Sequence, residues 1–187
     1  MAVALTMRNV LTGPVAVTAG PARPAGEPAY STRQAPGAGG DGAAISQLRE
    51  SRQSTDPQVQ AKALNELQCS RPDPLDGYVD SSKPLVTCNE NGDEKYLLGP
   101  AFLQLRDSTI ARMGTGEKGE QAVMLHLPGE ESGTLGNYTT RNAGKRIAIV
   151  DSVSAIFAPR ILDPIIGGEV YLSGYDQSAL FSRLTRK

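Results

Sequence analysis

The chain has 187 residues, 39% of them hydrophobic and 5% aromatic, with no tryptophan, which fits one ordinary domain with a modest core or a small domain with a long tail. A formal net charge of −1 argues against wholesale electrostatic binding of nucleic acid, which needs a basic face or stripe; the basic RLTRK at the C-terminus reads as a solvated end. No run approaches the roughly 18–20 apolar residues that a membrane-spanning helix requires.

In chain order, the first segment, MAVALTMRNVLTGPV, is apolar in flavour but is interrupted early by Arg8 and Asn9. A secretory signal has a basic start, an unbroken apolar stretch and a small-residue cleavage site, in that order. This segment does not, so residues 1–12 read as a strand remnant leading into a linker. Gly, Pro and Ala dominate residues 13–40, leaving too little apolar side chain to offset the entropy of ordering them. A flexible linker is therefore expected, with its boundary drawn at 13–45.

Residues 41–68 are rich in helix formers, and residues 46–93 are expected to form a helix followed by a loop. Asp56 before Pro57 reads as an N-cap with proline at the first helical position, and Val59, Ala63, Leu64 and Leu67 then share one face. EKYLL (94–98) reads as a short strand stopped by Gly99 and Pro100, and AVMLHL (122–127) as another. ESGTLGNYTTRNAGK makes a poor helix, because Gly133, Gly136 and Thr139 lower its propensity. RIAIV, SAIFA and EVYLSG are strands, the last after a Gly167-Gly168 turn, and DQSALFSRL is a closing helix capped by Asp176. Strands with separately placed helices and no repeated βαβ unit indicate the α+β class: a small mixed sheet with a few helices, over residues 94–187.

Little in the chain carries chemistry. The two cysteines, Cys69 and Cys88, fit neither a CxxC redox motif nor a four-ligand zinc site, and the single histidine weakens a metal site further. A bridge between them would close a proline-rich loop that has little core of its own; the alternative is two thiols in a reducing compartment. Strand alternation puts His126 beside Met124 and opposite Val123, Leu125 and Leu127, a surface position rather than that of a catalytic base. GTGEKGE (114–120) lacks the ending of a phosphate loop and reads as a hairpin loop. Asn137-Tyr138-Thr139 fits the glycosylation acceptor pattern, a short pattern that arises often by chance. Asp151 has no acid, histidine or cysteine near it in sequence, and reads as a turn residue. A small hydrolase using Asp151 and His126 would need the fold to bring the two together. Nothing in the residues supports an enzyme, a cofactor or a metal.

The segments PLVTCNENGDEKYLLGPAFL, YTTRNAGKRIAIV, APRILDPIIGGEVYLSG and YDQSA, in this order, resemble the first extracytoplasmic (periplasmic) region of SecD in its actinobacterial form. SecD is the membrane protein that assists Sec-dependent protein export. The resemblance covers roughly residues 67–184, and ALTMRNVLTGPV is similar to the last strand of that region's base subdomain. It implies that residues 94–184 are the head subdomain, an α+β unit that contacts the emerging preprotein. It also implies SecF and the SecYEG channel as partners, and placement on the extracytoplasmic side of the membrane. The parent would be anchored by transmembrane segments that also carry its protons and are absent from this chain. The positions of Cys69 and Cys88 are similar to this family branch too, which favours the disulfide. Where the family has an Asp-Gly turn, this chain has Ser152-Val153, and a β-branched valine resists the positive φ of a type I′ turn. The expectation is thus a binding module for unfolded preprotein, without chemistry of its own. The rival expectation is a free-standing exported interaction or structural domain on the same fold.

Overall fold

The computed structural model describes residues 5–17, 41–69, 73–105, 109–116, 119–173 and 177–185. The chain enters through strand β1 (Leu5–Ala16), followed by helices α1 (Asp41–Arg52) and α2 (Pro57–Glu66). Strands β2 (Leu85–Cys88) and β3 (Glu94–Gln104) make one hairpin, β4 (Ile110–Thr115) and β5 (Gln121–His126) a second. Helix α3 (Gly129–Arg141) leads into the hairpin of β6 (Ile147–Asp151) and β7 (Ser154–Phe157). Strand β8 (Glu169–Ser173) and helix α4 (Gln177–Leu184) follow.

The larger sheet has the order β2-β3-β1-β6-β7 and the smaller β4-β5-β8. Neighbouring strands are antiparallel, while a parallel bridge from Asn89 to Ala155 joins the end of β2 to β7. The Glu90 N–H donates to the Ala155 carbonyl and the Thr87 hydroxyl to that of Val153. Because its two outer strands meet in this way, the five-stranded sheet curls toward closure. The result is the expected α+β class with a mixed sheet.

Strand β6 is buried along its whole length because it separates two cores. Alternation sends Ile147 and Ile149 to a core shared with the small sheet and α3, through Leu125, Leu135 and Leu172. It sends Ala148 and Val150 to the other side, against Leu75, Leu85, Tyr96 and Leu98. A strand buried on both faces needs no polar alternation, which is why IAIV reads as an unbroken apolar run.

Several expectations are corrected. Strand β1 runs past residue 12 and lies between β3 and β6, with Leu5 and Met7 in the core shared with the small sheet. The linker does not begin at residue 13, since β1 continues to Ala16, pairing Val15 with Lys95 and Ala16 with Glu94. Nor does it extend to 45: α1 starts at Asp41, because Ile45 and Leu48 pack on the second core. The rest of the expected linker, 18–40, and the expected cap Asp176 lie outside the described residues.

Strand β3 runs through Gly99 and Pro100 instead of stopping there. The last β2 pair is Leu85 with Leu98, and β1 shifts register here, so no ladder donor is demanded of Pro100. The side-chain amide of Asn9 lies close over Gly99 and would have to shift to admit a Cβ there. The poor helix forms as α3 because Glu131, Leu135 and Thr139, spaced by four, are buried on one face. Tyr138 stacks on Phe102 of β3 with ring centroids 3.7 Å apart, and such packing overrides propensity. The β6–β7 hairpin closes without a type I′ turn. Ser152 alone takes a positive φ, 53°, and its hydroxyl accepts from the Gly77 N–H at 2.7 Å, while Val153 is buried in the second core at an ordinary φ. Asp56 caps α2 as expected, accepting from the N–H groups of Gln58 and Val59.

Candidate interaction edge

The residues weighed for catalysis are not brought together. Asp151 is the last residue of β6, 4% exposed and opposite Leu5 and Ser154 in the large sheet. His126 ends β5 in the small sheet, on the exposed face opposite buried Val123, Leu125 and Leu127, with Ile110 and Glu169 as cross-strand neighbours. Among the described residues no group of three or more His, Cys, Asp or Glu is placed to hold a metal. The segment read as a hairpin loop connects β4 to β5, with the Gly116 N–H donating to Glu120 O at 2.8 Å. In the acceptor pattern, Asn137 is exposed, but Thr139 is buried and its hydroxyl donates to Leu135 O at 2.9 Å.

The segment before β2 is fixed by a polar clasp. The structure joins Cys69 to Cys88, with sulfurs 2.01 Å and Cα atoms 5.7 Å apart. Inside the ring thus closed, Leu75 is fully buried in the second core. Arg52 at the end of α1 grips both Asp73 carboxylate oxygens at 2.7 Å and donates its Nε–H to Val86 O at 2.8 Å. Gln53 beside it pairs with the Asp80 backbone, accepting from its N–H at 2.9 Å and donating to its carbonyl at 2.7 Å. The Ser82 hydroxyl and N–H hold the Asp80 carboxyl below the usual carboxylate range. Arg8, fully buried on β1, donates to Lys83 O at 2.7 Å and Gly99 O at 3.0 Å. Burial pushes its guanidinium down to about 10, with Asp80 acting in the opposite sense. A cleft of about 480 Å³ over this clasp is lined by polar and charged side chains, among them Ser46, Arg49, Glu50 and Lys83.

What these anchors hold in place is a half-open strand. β1 pairs with β6 only as far as Asn9 with Ile147, followed by one hydrogen bond from Val10 N–H to Arg146 O at 3.1 Å. From Leu11 to Ala16 it pairs on one side only, with β3, and no strand among the described residues covers the other side. Leu11 is 51% and Val15 41% exposed there. Unpaired backbone groups flanked by exposed apolar side chains are a template for an added strand. Sequence reasoning missed this edge because Gly13-Pro14 reads as the start of a linker. The available signal was the apolar recurrence at Val10, Val15 and Val17 across that dipeptide, and Pro14 is itself typical of an edge strand.

The chain is thus an α+β unit with a curled sheet, a clasped loop and a strand edge left open among the described residues. Residues 83–185, more than half of the chain, match the family model described as SecDF, P1 head subdomain, and the chain belongs to that family. It is 31% identical over 135 residues to the protein translocase subunit SecD of Mycobacterium tuberculosis (strain ATCC 25618 / H37Rv), covering 71% of this chain and 24% of that protein. It is 23% identical over 122 residues to the SecD subunit of Acidaminococcus fermentans, covering 64% of this chain and 28% of that one. The chain thus spans about a quarter of the length of the curated relatives it matches. A crystal structure of SecDF in its super-membrane-facing form shares the fold at a TM-score of 0.50 and 20% identity, over 97% of this chain and 18% of that one.

Proposed function

We propose that this chain is the extracytoplasmic head of a SecD-type subunit of the Sec translocase, and that it assists preprotein export by receiving the emerging chain along the open edge of β1. The observation that carries the reading is the half-strand from Leu11 to Ala16, unpaired on one side among the described residues, in a member of the SecDF P1 head family. An unfolded chain offers backbone donors and acceptors whatever its sequence, so strand addition suits a device that must handle many substrates. The apolar Leu11 and Val15 add contact without demanding a motif. The head acts as a binder and not as an enzyme, on a parent embedded in the membrane with SecF and the SecYEG channel as partners. The bond between Cys69 and Cys88 suits an oxidising, extracytoplasmic compartment.

Photo-crosslinking residues placed at Leu11 and Val15 of the membrane-embedded parent test this during export of a stalled preprotein. Adducts are expected at both positions and not at Lys62, an exposed control on α2. Equal labelling at Lys62, or none at Leu11 and Val15, would refute the reading.

A further inference from the structure

The connection from β7 to β8 carries a second exposed apolar feature of a different kind. Its sequence, RILDPIIGG, contains two apolar pairs, and in each pair the first residue is anchored while the second is presented. Ile161 is buried in the core shared with the small sheet; its N–H donates to Lys145 O and its carbonyl accepts from the Gly144 N–H, both at 2.8 Å. Ile165 packs against the same core and donates its N–H to the hydroxyl of buried Thr139 at 2.9 Å. The loop ends at Gly168, whose φ is 74° and whose carbonyl accepts from the Leu127 N–H at 2.8 Å. Between these fixed points Leu162 is 78% and Ile166 84% exposed, the highest values among the exposed large apolar residues described.

The surroundings are basic. Arg141 in the last turn of α3, Lys145 and Arg160 are all exposed, and none makes an ion pair among the described residues. Arg160 is held beside the loop by its hydrogen bond to Gly144 O at 2.9 Å and by the bridge between Arg146 and Arg160. Two acids oppose these three cations, Asp163 in the loop and the exposed Glu169 that follows it, so the balance stays positive.

We infer that this loop is a membrane-contact tip, which docks the domain reversibly on an anionic lipid surface. Exposures near 80% mean side chains that project into solvent and do not line a groove, so a peptide would find little to enclose it. A soft medium can surround such side chains: Leu162 and Ile166 enter the boundary between headgroups and acyl chains while the cations meet lipid phosphates. A second copy of the chain is disfavoured, because it would bring the same three cations face to face. This inference does not depend on strand addition at β1, and its failure would leave that reading intact.

Co-sedimentation of the 187-residue chain with phospholipid vesicles tests it. Binding is expected to vesicles containing phosphatidylglycerol and not to pure phosphatidylcholine, and it should fall as salt rises. Leu162→Glu with Ile166→Glu should weaken it roughly tenfold or more, and Lys145→Gln or Arg141→Gln roughly fivefold each. All four replaced side chains are exposed, so melting temperatures should stay unchanged. Equal binding to both vesicle types would overturn the inference, as would binding indifferent to the paired glutamate substitutions. Loop-dependent capture of an acidic polypeptide with no vesicle association would overturn it too, and would assign the tip to a protein partner.

Discussion

Ile149→Ala is expected to destabilise the domain by about 4 kcal/mol, because it removes three carbons from the centre of a strand with no solvent on either face. Ile149 pairs with Met7 on one side and Phe157 on the other, and its side chain lies in the core that joins the large sheet to the small one. Neighbours tied into two strand pairs cannot collapse into the space left behind, which puts the cost toward the upper end of the usual range. For a chain of this length that corresponds to a fall in melting temperature of about 10 °C. Ile149→Val, which loses one methyl group, should cost about 1 kcal/mol. Urea or thermal melts of the two variants check both values. A loss below about 1 kcal/mol for the alanine variant would mean that β6 is not the wall between the two cores.

Replacing Cys69 and Cys88 together by alanine is expected to cost about 3 kcal/mol, the loop-closure value for a bridge of sequence separation 19. The clasp makes a further prediction about where that loss arises. Arg52 on Asp73, Gln53 on the Asp80 backbone and the buried Leu75 hold the same segment independently of the sulfurs. The folded state should therefore keep its shape, and the change should fall on the unfolded chain, which becomes freer and exposes more surface. A steeper denaturant dependence in the variant, with the amide spectrum around Leu75 unchanged, is the expected pattern. Loss of those signals would show that the bond, and not the clasp, shapes the segment. Mass measurement after alkylation without reductant checks the bond in the parent chain.

The legible parts of this fold were those governed by local rules. Asp56-Pro57 announces a helix start because an N-cap and a proline at the first helical position are local requirements, and the Gly167-Gly168 turn follows from positive φ in the same way. Alternation along VMLHL placed His126 on the solvent side of β5 from spacing alone. What stayed hidden depends on contacts distant in sequence. Gly99-Pro100 reads as a stop, yet the strand continues because β2 has already ended beside it and Asn9, ninety residues earlier, occupies the space over Gly99. The glycine-rich α3 exists because Leu135 and Thr139 are buried and Phe102 offers a ring to Tyr138. The clasp at Arg52 and Gln53 leaves no signature in a helix that simply looks polar. The candidate site was the least legible feature of all. An open edge is defined by which strand does not lie beside it, and composition made Gly13-Pro14 look like a linker.

Amide hydrogen exchange across β1, with and without an added polypeptide that cannot fold, tests the central claim most directly. The non-proline amides between Leu11 and Ala16 that do not bond to β3 should be weakly protected alone and gain protection when the polypeptide is present. Amides of Leu5, Met7 and Asn9, in the stretch already paired with β6, should change little. Protection gained elsewhere while Leu11 to Ala16 stays unchanged would contradict strand addition at this edge.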